Sequence, residues 1–297
     1  MRHFHQACLL PVVVIPTDFA EDPNFILLVS TMSWTLFATA ALYTLGLLHS
    51  LLGFYQKRQI FVRIALGMVA CGFVGHTLFL VTLGLQRGHF PITSLPESLC
   101  FFAWCITLIF MVANLRYKIN VLGAFVLPLV SLLTIVSQLM WEEKHAIPPL
   151  LKSRWLYLHS SVAFLAYTAF FLTFLSGIFY LIQERELKAK RFRFFYFRLP
   201  SLQVCDELLR RSLFVGFVAM SITLMTGALW AQQAWGRFWS WDPKETASLI
   251  TWGIYLLLVY YRLSSSWRGR RAAYISIIGF VSTLFTFGVN WGLHTYL

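Results

Sequence analysis

Eleven residues of this chain, Trp235–Glu245 (WGRFWSWDPKE), hold Trp235, Trp239 and Trp241 with Arg237, Asp242 and Lys244 among them. One or two tryptophans suffice to anchor a loop at a membrane interface. Three so close together make an aromatic platform for a large flat ligand. Two histidines can join them: His159 in WLYLHSS and His294 in NWGLHTYL. Neutral imidazole is an axial ligand for haem iron, and two can bind from opposite faces of the ring. Lys244, Arg237 and Arg154 are cations suited to the carboxylates of such a ring. A lone histidine at a helix end is ordinarily interfacial, so these spacings alone leave a haem site open.

The elements that must position these residues are membrane helices. The chain is 58% hydrophobic and 12% charged, where a soluble domain carries roughly 25% charged residues. Apolar runs of about 20 residues, the span of a bilayer core, recur along it. Helices satisfy their own backbone polar groups in lipid. The expectation is therefore an all-α integral membrane protein, a bundle of about eight transmembrane helices with both termini outside. The segments drawn are 25–55, 60–85, 95–114, 119–140, 155–183, 212–232, 245–262 and 272–292. Pro128 predicts a kink in the fourth. Residues 1–24 read as an N-terminal extracytoplasmic segment, with an apolar run around Leu9–Ile15 too short to span. Residues 25–297 read as a single transmembrane domain. The five cysteines lack CxxC or metal-ligand spacing and read as small apolar residues.

Orientation follows from Lys and Arg. One set of loops carries 17 of the 24 basic residues, including Lys57, Arg58, the run Arg185 to Arg211 and the run Arg262 to Arg271. The other carries 7. The first set is expected in the cytoplasm. The net charge of +12 then reflects topology and contact with anionic membrane lipid rather than nucleic-acid binding. The run ERELKAKRFRFFYFRLP reads as an amphipathic, lipid-facing segment. This map places the tryptophan loop, His159 and His294 together on the outer face.

The tryptophan loop resembles the WWD signature of the haem-handling membrane proteins of cytochrome c biogenesis. Its Asp-Pro-Lys-Glu ending is that of the CcsA (ResC) branch rather than the CcmC or CcmF branches. His159 and His294 match the family's two external histidines in order and context, and the motif match runs over Trp235–Trp252. Upstream, Arg87–Ser98 (RGHFPITSLPES) is similar to the family's GHxPxxNxYES stretch. Ser94 stands there for Asn, and Pro96 for Tyr. The resemblance covers about residues 60–297.

The resemblance implies a subunit of a system II cytochrome c synthase. Haem b would be held by His159 and His294, the iron ligands, with Trp235, Trp239, Trp241 and Asp242 at the ring. It would be presented to a CxxCH apocytochrome c, alongside a separate CcsB (ResB)-like membrane subunit. The expected location is the bacterial inner membrane, or a plastid thylakoid membrane. No side chain is expected to act as catalyst.

Further residues considered for the ligand are His76, inside span two, His89, in the GHxP stretch, and Arg237, Lys244 and Tyr260. Tyr260 (LVYYR) stands where the family often has a histidine near the inner end of span seven, a position associated with haem inside the membrane. His49 is a candidate to replace that histidine in space. Glu97 reads as a helix-start charge. Competing functions are a HemX-type paralogue without cytochrome c maturation, a transporter of another ligand, and a structural membrane subunit.

Overall fold

The computed structural model describes residues 23–141, 152–190, 194–264 and 269–292. The described residues form eight helices: α1 (Pro23–Gln56), α2 (Gln59–Arg87), α3 (Leu95–Tyr117), α4 (Leu122–Leu139), α5 (Arg154–Lys188), α6 (Leu202–Trp235), α7 (Pro243–Leu263) and α8 (Arg270–Gly292). Every one is long and apolar enough to cross a membrane, as an integral membrane bundle requires.

The helices pack in two groups. α1 lies against α2 and α4, and α3 against α4; α5 packs on α6 and α8, and α7 on both α6 and α8. The groups meet where α3 crosses α5, with Phe101 and Phe102 of α3 against Phe164 of α5. Between membrane helices close packing drives association, because lipid tails are as apolar as leucine. The tightest example is Phe170 of α5, stacked on Tyr255 of α7 with centroids 3.5 Å apart. Hydroxyls inside the bundle turn back on their own helices, as Thr107, Thr134, Thr168 and Thr173 do to the carbonyls four residues earlier.

One boundary differs from the expectation. α6 begins at Leu202, ten residues before the apolar run suggested, because Ser201 caps it by accepting from the Val204 amide. Its charged first turns are sustained by pairing: Asp206 receives both Nη atoms of Arg262 from α7 at 2.8 Å, and Glu207 pairs with Arg210 and Arg211. α4 is continuous through Pro128, and a bend there is compatible with that continuity. The basic–aromatic run divides around residues 191–193, which lie outside the described residues. Its first part completes α5, and its second is a turn clamped onto α1: the Arg198 guanidinium donates to the carbonyls of Phe54 and Tyr55 while Phe194 packs on Phe54.

The connections fall at two ends. α1–α2, α3–α4, α5–α6 and α7–α8 share the end rich in Lys and Arg. The α2–α3 stretch, the start of α5 and the tryptophan loop share the other, where Phe90 meets Tyr157 and Ser153 donates to Gln233 at 2.6 Å.

Candidate functional site

His159 sits one turn into α5 and faces α6. Its Nδ1 lies 2.9 Å from the carbonyl oxygen of Thr223. A carbonyl only accepts, so Nδ1 carries the proton and Nε2 keeps its lone pair. Nε2 has no hydrogen-bond partner among the described residues. The ring fits because residue 227 is glycine: a Cβ there would stand 2.8 Å from Cε1 and 2.9 Å from Nδ1. Thr223 and Gly227 lie one turn apart on α6, so the missing side chain opens the path to the carbonyl. A backbone partner on one ring nitrogen, fixing the tautomer and exposing the other, is the arrangement of metal-binding histidines.

The loop beside it is built by caps. α6 ends on Gly236 in the left-handed conformation (φ 72°). α7 starts at Asp242, whose Oδ1 accepts from the Glu245 amide at 2.7 Å; Glu245 reaches back to accept from the Ser240 amide at 2.7 Å. Asp242 and Glu245 thus hold the turn. Trp241, between them, is itself left-handed (φ 58°), a costly conformation for a bulky residue. The Asp-Pro-Lys-Glu ending is therefore a helix-start signature as well as a family motif. Lys244, in the first turn of α7, is near enough to His159 to act on it electrostatically.

The tryptophans do not lie in one plane. Trp239 and Trp241 meet edge to face at 5.8 Å, and Trp235 meets Trp230 edge to face at 5.0 Å. Trp241 is 69% exposed and Trp235 42%, while Trp239 is half-buried. Phe238 and Arg237 are exposed. The platform is thus two perpendicular pairs. The indole N–H groups of Trp230 and Trp239 are buried without a partner. Trp252 lies outside the loop: its N–H donates to Ser221 at 2.9 Å and it stacks on Phe217, tying α7 to α6.

α8 ends at the same end of the bundle. Thr286 donates to the Ala247 carbonyl, and Phe287 packs on Tyr167 and Phe102. The described part of α8 therefore reaches Gly292 at the end of the bundle where α7 starts; His294 lies outside the described residues.

The remaining candidates are held elsewhere. His76 is 0% exposed, with Nδ1 3.2 Å from the Tyr43 hydroxyl and Nε2 3.0 Å from Cys100 Sγ, in the group of α1 to α4. Both of its ring nitrogens are engaged. His89 is buried and bonds the Phe90 carbonyl. That stretch packs on Tyr157, two residues before His159 and so on the opposite face of α5. Its hub is Glu97, also 0% exposed, which pairs with Arg87 and accepts from Thr93 and Ser94. Ser94 serves as the N-cap of α3, closing a capping box with Glu97, a role serine fills as well as asparagine. Tyr260 is 62% exposed on α7, and His49 rests beside Phe61 with its Nδ1 on the Leu45 carbonyl. The two are not brought together. Gly227, Thr223 and Trp230 went unread in the sequence; no local pattern marks a helix face as the floor of a histidine.

Residues 92–294 match the family described as "Cytochrome C assembly protein". This chain belongs to that family. The match spans His159, the tryptophan loop and α8. Among curated relatives, "Cytochrome c biogenesis protein CcsA" of Guillardia theta is 34% identical over 88% of this chain and 93% of its own length. Those of Synechococcus sp. (strain CC9605) and Chlamydomonas reinhardtii are 33% and 35% identical, over 81% and 74% of this chain and 88% and 65% of their own. A solved structure of "Cytochrome c Heme Lyase CcmF" shares the fold: TM-score 0.66 at 16% identity, covering 86% of this chain and 46% of that one.

Proposed function

We propose that this protein works in cytochrome c maturation, handling haem b as its cargo at the end of the bundle that carries the tryptophan loop. The observation that carries this reading is the imidazole of His159, fixed through Nδ1 on the Thr223 carbonyl, its Nε2 unpartnered among the described residues and Lys244 nearby. The surroundings fit a porphyrin with anionic side chains. Lys244 and Arg237 are cations for the propionates, Trp239 has a buried indole N–H to donate, and the two edge-to-face pairs offer indole faces and edges. His294, following the last turn of α8, is the proposed second axial ligand.

The chain's own task is then positioning. His159 and His294 hold the iron, the loop limits rotation of the ring, and Asp242 and Glu245 keep the loop in place. The two thiols of a CxxCH apocytochrome c add across the vinyl groups, each S–H giving its hydrogen to one vinyl carbon as sulfur bonds the other. Such a step gains chiefly from orientation. The Lys and Arg distribution supports an outward-facing site with both termini outside, in a bacterial inner membrane or a thylakoid membrane. A CcsB-like subunit is the proposed partner.

His159→Gly is expected to abolish cytochrome c maturation and the bis-histidine absorption spectrum of the purified protein, and added imidazole to restore both by filling the vacated axial position. Full activity of His159→Gly overturns the assignment. Haem binding without cytochrome c maturation or a co-purifying CcsB-like chain selects the HemX-type reading, which the exposed Tyr260 favours.

A further inference from the structure

The opposite end of the bundle holds a cavity of about 280 Å³ between the α1–α2 turn, the α3–α4 turn and the α5–α6 connection. Three cations, Lys57, Arg58 and Arg198, line it together with Phe54, Val62 and Phe197; among the described residues no Asp or Glu does. None of the three cations has a carboxylate partner among the described residues. Lys57 instead lies over the Phe197 ring, 4.9 Å from its centroid.

The backbone adds to this charge. Arg58 is the N-cap of α2 and offers no side-chain oxygen to the first amides of that helix. The Phe61 amide turns back to the Arg58 carbonyl, while the Gln59 and Ile60 amides remain donors at the positive end of a long helix. The end of α1 would oppose an anion with its bare carbonyls, but Arg198 covers two of them. What remains is a net positive concavity with an apolar wall. It sits at the ends of spanning helices, the depth of lipid headgroups, and Tyr55 and Ile60 are exposed next to it. Basic pockets between membrane helices at this depth take anionic headgroups.

We propose that this cavity binds the phosphodiester headgroup of an anionic membrane glycerolipid. Lys57, Arg58 and the unused donors of Arg198 surround the phosphate, the glycerol backbone rests on Phe54 and Val62, and the acyl chains leave along Tyr55 and Ile60. A free phosphate would satisfy the cations but leave the apolar wall without a partner, which favours the lipid.

The test uses the full chain in nanodiscs of phosphatidylcholine with or without phosphatidylglycerol. Phosphatidylglycerol should raise the unfolding midpoint of the native protein by roughly 5 °C, and native mass spectrometry should find one such lipid retained. Lys57→Gln with Arg58→Gln should remove most of the shift and at least tenfold of the retained lipid. Arg270→Gln with Arg271→Gln, an equal loss of charge outside the cavity, should keep both. Equal responses in the two double variants would overturn the proposal in favour of diffuse surface charge. A shift reproduced by glycerol phosphate in pure phosphatidylcholine discs would overturn the lipid as its source. If the Lys57/Arg58 double variant does not fold, each single variant carries the same test through retained lipid.

Discussion

The two ends of the bundle solve one backbone problem differently. A helix that ends in a left-handed residue favours glycine there. At the tryptophan-loop end, α2 and α6 end on Gly88 and Gly236. At the basic end the left-handed residues after α1, α3 and α5 are Lys57, Lys118 and Lys190. Lysine in this conformation costs about 1 kcal/mol or more. Its charge offsets part of that cost by facing the negative end of the helix dipole. The tryptophan-loop end places its carboxylates at helix starts, Glu97 on α3 and Asp242 with Glu245 on α7. Polarity along the bundle and polarity along α3 and α7 thus reinforce each other. One end is a capped scaffold for a site, with carboxylates and a few cations both present, and the other a more strongly cationic rim.

The strongest test of this contrast lies at the site. Gly227→Val should abolish haem loading, as His159→Gly should, though every ligand candidate remains, because the added carbons occupy the place of the imidazole. Gly253→Ala, where a Cβ meets nothing within 4 Å, should leave the absorption spectrum unchanged. Next comes Glu97→Ala, which strands the partly buried Arg87 and removes the α3 capping box. A loss of about 3 kcal/mol is expected in denaturant titration of the purified protein. Loss of only a few tenths would mean that Glu97 is a surface charge. Asp242→Ala should cost about 1 kcal/mol as a lost N-cap. It should also raise protease cleavage in the tryptophan loop, and Asp242→Asn should preserve most of both.

The smallest effect tests the caps themselves. Gly236→Lys should destabilise by about 1 kcal/mol, whereas Lys118→Gly should change stability by less than about 0.5 kcal/mol, relief of strain cancelling the lost charge. Orientation can be read independently: an alkaline phosphatase fusion at Arg237 should be active and one at Lys190 silent. The reverse pattern would put the tryptophan loop in the cytoplasm and break the site proposal.

Much was legible in the sequence because it is local. Apolar runs of bilayer length fixed eight spans, and Asp242-Pro243 and Ser94-Leu-Pro-Glu97 announce helix starts through the chemistry of their own side chains. The early start of α6 was illegible, because Asp206, Glu207, Arg210 and Arg211 read as a loop until Arg262 arrives from another helix to pair with Asp206. His76 shows the same limit from the other side. A histidine inside a span reads equally as a functional ligand or as a hydrogen-bonded structural residue, and only the approach of α1 and α3 reveals that Tyr43 and Cys100 occupy its two nitrogens.

By itself, then, the sequence determined the solvent this chain folds in, the number of its spans, the sidedness of its charge and the residue types able to meet a haem. Each of these depends on interactions within a turn or two of one helix, or on composition. Only the tertiary structure decided which histidine is fixed by a neighbouring helix beside the tryptophan loop. That depends on a carbonyl at Thr223 and a missing side chain at Gly227, 64 and 68 residues from His159. Contacts between helices in lipid are set by shape and close packing rather than by a periodic pattern, and no window along the chain contains both surfaces.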